Sequence, residues 1–287
     1  MALVVGVHGI GQQYRGRHQL LAAWGPALAD GLERAAGQRV TLSEFDITFY
    51  GDLFLPDPPI AADSVVPKSG DSDAGDELDL SAEEWADVAE ALAELVTPAE
   101  VAAAAAAAPK GLGRIPRPFQ ALIAAIDRRF GPAAAVLSIR ELKQVRRYLR
   151  EPAVRRAVDD RVRDEFPPGC RVLIGHSLGS VVAYELLRQN PDLGVKLLIT
   201  VGSPLALRMV RDRLRVEPLP VPAWVNVRDL RDPVACAGEL RGWWPQIREA
   251  DEIVVDNGAK AHAAERYLSR RQTGVALLRA VPQVVGE

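Results

Sequence analysis

Cysteine is nearly absent: Cys170 and Cys236 are the only two in 287 residues. One pair cannot staple a chain of this length, which excludes a disulfide-built scaffold and points to free thiols in a reducing, cytoplasmic setting. A charge excess is also missing. There are 38 acidic residues against 35 basic ones, a formal net charge of −3, so the basic surplus expected of a nucleic-acid partner is not there. Long apolar runs are missing as well. Residues 1–7 are apolar but lack a basic flank, and the alanine-rich stretch 101–109 is the longest other uncharged one. Both are too short to span a bilayer, so neither a transmembrane segment nor a cleaved export signal is expected; a peripheral membrane contact stays open. No His/Cys/Asp cluster has metal spacing and no Gly-Lys-Ser/Thr phosphate loop occurs, so no cofactor or metal is expected.

What is present is enough for a large core, with 48% hydrophobic residues. Residues 3–7 read as a buried parallel strand, 17–36 as a helix kinked near Gly25-Pro26, and 40–50 as a second strand. Prolines 56, 58 and 59 then end regular structure, and 63–80 reads as a Ser/Gly/Asp-rich loop. Ser81 with Glu84 has the pattern of a capping box. From there to residue 166 the chain reads as helices with no good strand. Alternation resumes at Arg171: strands at 171–174, 195–201, 223–227 and 253–255, and helices at 178–189, 204–214, 262–270 and 274–280. Apolar, β-branched strands alternating with helices predict an α/β fold whose parallel sheet is covered on both faces.

One motif carries chemistry. Gly175-His176-Ser177-Leu178-Gly179 fits G-x-S-x-G, between the apolar Val172-Leu173-Ile174 and a helical pattern. A serine on so sharp a strand-to-helix turn needs glycine two positions to either side, because side chains there would collide. The turn lifts the hydroxyl above the sheet at the start of a helix. A glycine-rich turn with a solvated serine is the plain alternative.

With Val7-His8-Gly9-Ile10-Gly11 upstream and Ile199-Thr200-Val201-Gly202-Ser203-Pro204-Leu205 downstream, the chain resembles the α/β-hydrolase superfamily. Within it the chain is most similar to lipase-like serine esterases, including GPI-inositol deacylase-like hydrolases. The likeness covers about residues 2–50 and 168–280. It implies an α/β-hydrolase fold; family members usually carry strands before the one at 3–7, so here a minimal, mostly parallel sheet of about six strands is expected. The block 52–166 falls outside the likeness; strand-free between strands of one alternating chain, it reads as a helical cap insertion within a single domain of 1–287. The likeness implies Ser177 as nucleophile, with a base and an acid following in chain order. Of four histidines, His8 and His176 are expected to matter through their backbones, and His18 opens the first helix. His262 follows the last strand, where the family places its base. Asp232, fixed by Pro233, matches the family's acid in Arg231-Asp232-Pro233-Val234, and Asp229 is the alternative acid or an arginine partner. The oxyanion hole would come from the backbone N–H of Leu178 and of Ile10 or its neighbours Gly9 and Gly11.

The expected reaction is hydrolysis of a carboxylic ester, possible lipids included, through an acyl-enzyme on Ser177. A thioesterase, amidase or peptidase would use the same groups, and a non-catalytic α/β-hydrolase homologue acting as an interaction module is the rival of another class. Two features are weaker. Residues 110–163 hold 14 basic and five acidic residues, read mainly as solvated helix faces partly paired with the acidic stretch Asp71 to Asp87, and alternatively as a basic cap for anionic substrates. Trp243-Trp244-Pro245 either lines an acyl pocket or packs over the sheet.

Overall fold

Short runs of valine, leucine and isoleucine build the centre of the molecule, and the computed structural model describes residues 3–42, 44–55, 80–107, 117–282 and 285–286. Six strands form one parallel sheet: β1 (Val4–Val7), β3 (Phe45–Thr48), β4 (Val172–His176), β5 (Leu197–Val201), β6 (Ala223–Asp229) and β7 (Glu252–Val255). Their spatial order is β3-β1-β4-β5-β6-β7. The chain steps from β1 outward to β3, then returns to the other side of β1 with β4. The order therefore reverses at the β1/β4 boundary, and in open α/β sheets ligands bind outside the carboxyl ends of the strands at such a point.

Strand residues alternate between two apolar layers, as the two-residue period requires. Val4, Val172, Ile174, Leu197, Ile199, Val225 and Val227 face a layer that contains Leu20, Trp24, Leu28 and Leu277. These belong to helices α1 (Arg17–Ala36) and α10 (Arg271–Ala280), with the short α9 (Ala264–Leu268) beside them. Val5, Val7, Leu173, Leu198 and Trp224 face the other layer. That side carries α7 (Leu178–Gln189) and five helices inserted between β3 and β4: α2 (Ala82–Ala93), α3 (Pro98–Ala107), α4 (Arg117–Phe130), α5 (Ala134–Arg150) and α6 (Pro152–Asp164). Trp85, Val88, Leu92, Ile126, Ile139 and Val145 of the inserted helices share one continuous apolar core with α7 and the sheet.

Charge pairing ties these helices together. Arg146 of α5 bonds Asp87 (2.7 Å) and Glu83 (3.0 Å) of α2, and Arg150 bonds the same two residues. Arg155 of α6 pairs with Glu185 of α7, which is wholly buried and also held by Arg188 at 2.8 Å. Part of the basic surplus of 110–163 is thus spent on interhelical pairs. Ser81 and Glu84 form the capping box at α2. The loop expected at 63–80 lies almost wholly outside the described residues, as do Asp71, Asp73, Asp76, Glu77 and Asp79.

Several boundaries differ from the sequence reading. The strand expected at 40–50 is two elements: β2 (Thr41–Leu42) leaves the main sheet to pair antiparallel with β8 (Val285–Gly286), while β3 stays in it. Glu44 between them has φ 47°, a left-handed backbone that breaks one strand into two. The helix α1 runs unbroken through Pro26. Proline removes the N–H that would bond the Ala22 carbonyl, but both residues face solvent, where water can take its place. The helix expected at 204–214 shortens to a 3₁₀ turn and α8 (Arg208–Arg211). Among the described residues no helix is long and apolar enough to cross a membrane.

Candidate active site

Ser177 stands at the carboxyl end of β4, with φ 51° and ψ −127°. This sparsely populated conformation costs about 1–3 kcal/mol and persists only where the surroundings enforce it. Close packing of the turn enforces it here. A Cβ on Gly175 would lie 2.5 Å from the Ser180 Cα, and one on Gly179 would lie 2.1 Å from the Val7 carbonyl oxygen. Gly175 is therefore dictated by contact within the turn, and Gly179 by contact with β1 and the residue after it. Gly179→Ala is expected to lower stability by at least about 1–3 kcal/mol, the ordinary cost of overpacking. A thermal melt checks it, and an unchanged Tm contradicts the packing argument.

The loop after β1 presses on the same spot, since a Cβ on Gly9 would lie 2.7 Å from the Ser177 Cβ. His8 fixes this loop through its imidazole, which corrects the reading that only its backbone matters. The His8 Nδ1–H donates to the Gly9 carbonyl (2.6 Å), while Nε2 accepts from the Tyr50 N–H (3.2 Å). Tyr50 also stacks on the ring at 4.2 Å and donates its hydroxyl to the His8 carbonyl. The backbone N–H groups of Ile10 and Leu178 have no hydrogen-bond partner among the described residues. Leu178 begins α7, so its N–H also carries the positive end of the helix dipole.

On the far side, β6 and β7 deliver a carboxylate and an imidazole. Asp232 is fully buried, and both its oxygens lie 2.9 Å from the His262 Nδ1. Asp232 also accepts the Tyr267 hydroxyl (2.6 Å) and the Val234 N–H (2.9 Å). Burial alone would raise its pKa, but His262, Tyr267 and the Val234 amide together hold it below the usual carboxylate range. The His176 ring has a task as well, against expectation: its Nε2–H donates to the His262 carbonyl at 2.8 Å and so anchors the loop bearing that histidine. Asp229 serves the same loop. It is buried, accepts the Arg231 and Asn257 N–H groups, and makes no bond to His262. His18 is exposed at the start of α1.

The sequence reading missed Glu141. This α5 residue is 5% exposed, and its Oε2 accepts the Ser177 hydroxyl, while Oε1 lies 3.5 Å from the His262 Nε2. The Ser177 hydroxyl therefore bonds Glu141 and not His262, whose Nε2 has no hydrogen-bond partner. Burial opposes charge on His262, but Asp232 and Glu141 outweigh it and push the imidazole up to about 10. A signal for Glu141 did exist in the sequence. It lies three residues after Ser138 and four before Val145, on the stripe that α5 buries.

Outside this cluster opens a cavity of about 640 Å³, walled by Ile10, Gly11, Phe130, Leu137, Glu141 and His262 among others. Ser177 itself is fully buried behind them. Trp243 and Trp244 do not line it. Trp244 is buried against Tyr184 and Trp224, and Trp243 lies under the Arg211 guanidinium. Cys170 and Cys236 are unpaired. Among the described residues no group of His, Cys, Asp and Glu is arranged to hold a metal.

The buried histidines predict how stability depends on pH. Burial lowers His8 to about 4 and His176 to about 3, the latter helped by the neighbouring His262. Both folded values lie below the ordinary value of about 6.5, so their contribution is present above pH 6.5 and lost as pH falls towards 4 and 3. For His8 that amounts to roughly 3 kcal/mol. His262 is raised, so its contribution is complete below about 6.5 and lost as pH rises through 10. Thermal melts should peak near pH 6–7 and fall on both sides. A Tm that is flat from pH 7 to 4.5 contradicts the burial of two neutral imidazoles.

Comparison with known protein families, with curated proteins and with solved structures gives no match.

Proposed function

We propose that the protein is a serine hydrolase with an α/β-hydrolase fold, cleaving carboxylic esters through an acyl-enzyme on Ser177. The observation that carries this reading is the pairing of a strained, glycine-flanked serine with a buried Asp232–His262 couple, around the carboxyl ends of the strands at the switch point of the sheet.

In this reading the Ser177 Oγ attacks the ester carbonyl carbon and the His262 Nε2 takes its proton. Asp232 holds the Nδ1–H tautomer and stabilises the imidazolium that forms. The Leu178 and Ile10 N–H groups face the developing oxyanion, where water-excluded donors act most strongly. His262 then gives its proton to the leaving alkoxide. A water, deprotonated by the same nitrogen, releases the acid and restores Ser177. The Ser177–His262 hydrogen bond that this sequence requires forms once Glu141 withdraws.

Thioesters and amides would engage the same groups, and the ester reading is the plainest of the set. Two unpaired cysteines accord with a cytoplasmic setting. The test is a panel of p-nitrophenyl esters of increasing acyl length. Release of nitrophenolate above the buffer rate is expected, with one preferred length. No release from any member by the folded protein overturns the esterase reading.

A further inference from the structure

Glu141 is the residue that the proposed chemistry does not use, and its placement has a chemical meaning. Ester hydrolysis leaves a carboxylate in the site. That product would accept a hydrogen bond from the nucleophile's hydroxyl with one oxygen and face the base with the other. Glu141 does both: Oε2 accepts from Ser177 and Oε1 lies 3.5 Å from the His262 Nε2. Ser177 has no exposed surface, whereas Glu141 and His262 both line the cavity. An incoming ester thus meets Glu141 before it meets the nucleophile.

We propose that Glu141 is a tethered product mimic, so that the acyl subsite of this protein lies along the inner face of α5 and opens only when Glu141 is displaced. The proposal rests on the serine-hydrolase reading. Ala134, Leu137 and Glu141 line the cavity from α5, with Phe130 of α4 beside them, so this strip takes the apolar part of an acyl group, while Arg15, Arg140, Arg231 and Lys260 make the rest of the cavity wall basic. The turn that would let α5 move is distinctive. Gly131 has φ 106° and Ala133, the residue before α5, has φ 64°. A non-glycine residue in this left-handed region is strained, and here it sits where α5 meets α4.

The electrostatics agree with a closed state. With carboxylates on both sides, His262 is held as an imidazolium, which has no lone pair for the Ser177 proton. Removing one carboxylate lowers the base's pKa, and each unit raises the neutral fraction tenfold.

The experiment measures the rate at which a fluorophosphonate probe labels Ser177 at pH 7, in the wild type, Glu141→Ala and Glu141→Gln, with sodium butyrate as competitor. Glu141→Ala should be labelled at least about tenfold faster than the wild type, and Glu141→Gln at an intermediate rate. Butyrate should slow labelling of Glu141→Ala and leave the wild type unaffected, because there the carboxylate position is already filled. If Glu141→Ala does not melt cooperatively, the near-isosteric Glu141→Gln carries the test through its own rate. Slower labelling of a folded variant overturns the proposal and makes Glu141 a participant in the chemistry. Equal labelling of Ser177 in all three proteins, or equal butyrate protection, overturns the proposal alone. No label on Ser177 in any of them removes the serine-hydrolase reading and this proposal with it.

Discussion

Asp232→Asn should lower kcat for ester hydrolysis by up to about 10⁴ while leaving the fold intact. The carboxylate accepts from three donors and donates to none: the His262 Nδ1–H lies between its two oxygens, and the others are the Tyr267 hydroxyl and the Val234 N–H. An amide in its place has only one accepting oxygen. Its NH₂ group would point either at the Tyr267 hydroxyl, which can turn to accept, or at His262. The second arrangement makes Nδ1 the acceptor and puts the ring proton on Nε2, where it can no longer take a proton from Ser177. Asp229→Asn is the control. Asp229 holds the loop through Asn257 and Arg231 without touching His262, so about a tenfold loss is expected, through loosened positioning. Measured kcat values for both variants at one pH, with melts showing both folded, decide between them. A crippled Asp229→Asn beside an active Asp232→Asn reverses the assignment.

The other large effect is a failure of additivity. Ser177→Ala and His262→Ala should each remove at least about 10³ of the rate, and the double variant should lose little more than either single one. Groups that act as one unit are not worth the sum of their separate deletions. The same rate in Ser177→Ala as in the wild type ends the account. Multiplying losses in the double variant would mean that Ser177 and His262 act independently, which the proposed proton transfer forbids.

Much of this site was legible because its signals are local. The strand before Ser177, the two glycines and the helix after it occupy one short stretch, and each residue answers to a contact within the turn or with β1. His262 and Asp232 follow the ends of strands that could be read from their β-branched runs. The imidazoles of His8 and His176 were misjudged for the same reason. Glycine motifs draw attention to the backbone, but these rings hold the loops that bear Ile10 and His262, through partners 42 and 86 residues away. Glu141 was hidden by its neighbours. Between Arg140 and Lys143 it looks like one more charge on a solvated helix; its place on the stripe of Ser138 and Val145 was the one local sign that the packing of α5 against α2, α6 and α7 turns it inward. The split at Glu44 escaped as well, because β2 finds its partner at the other end of the chain, a pairing that local pattern does not encode.

The central claim is that Ser177 is a nucleophile activated by His262, and the most direct measurement of it is the location of a covalent adduct. The purified protein is incubated with a fluorophosphonate probe, digested, and the modified peptide sequenced by mass spectrometry. The account predicts one adduct, on Ser177, lost in the folded His262→Ala variant. Folded wild-type and Glu141→Ala proteins that both acquire no adduct, or acquire it on another serine, contradict it.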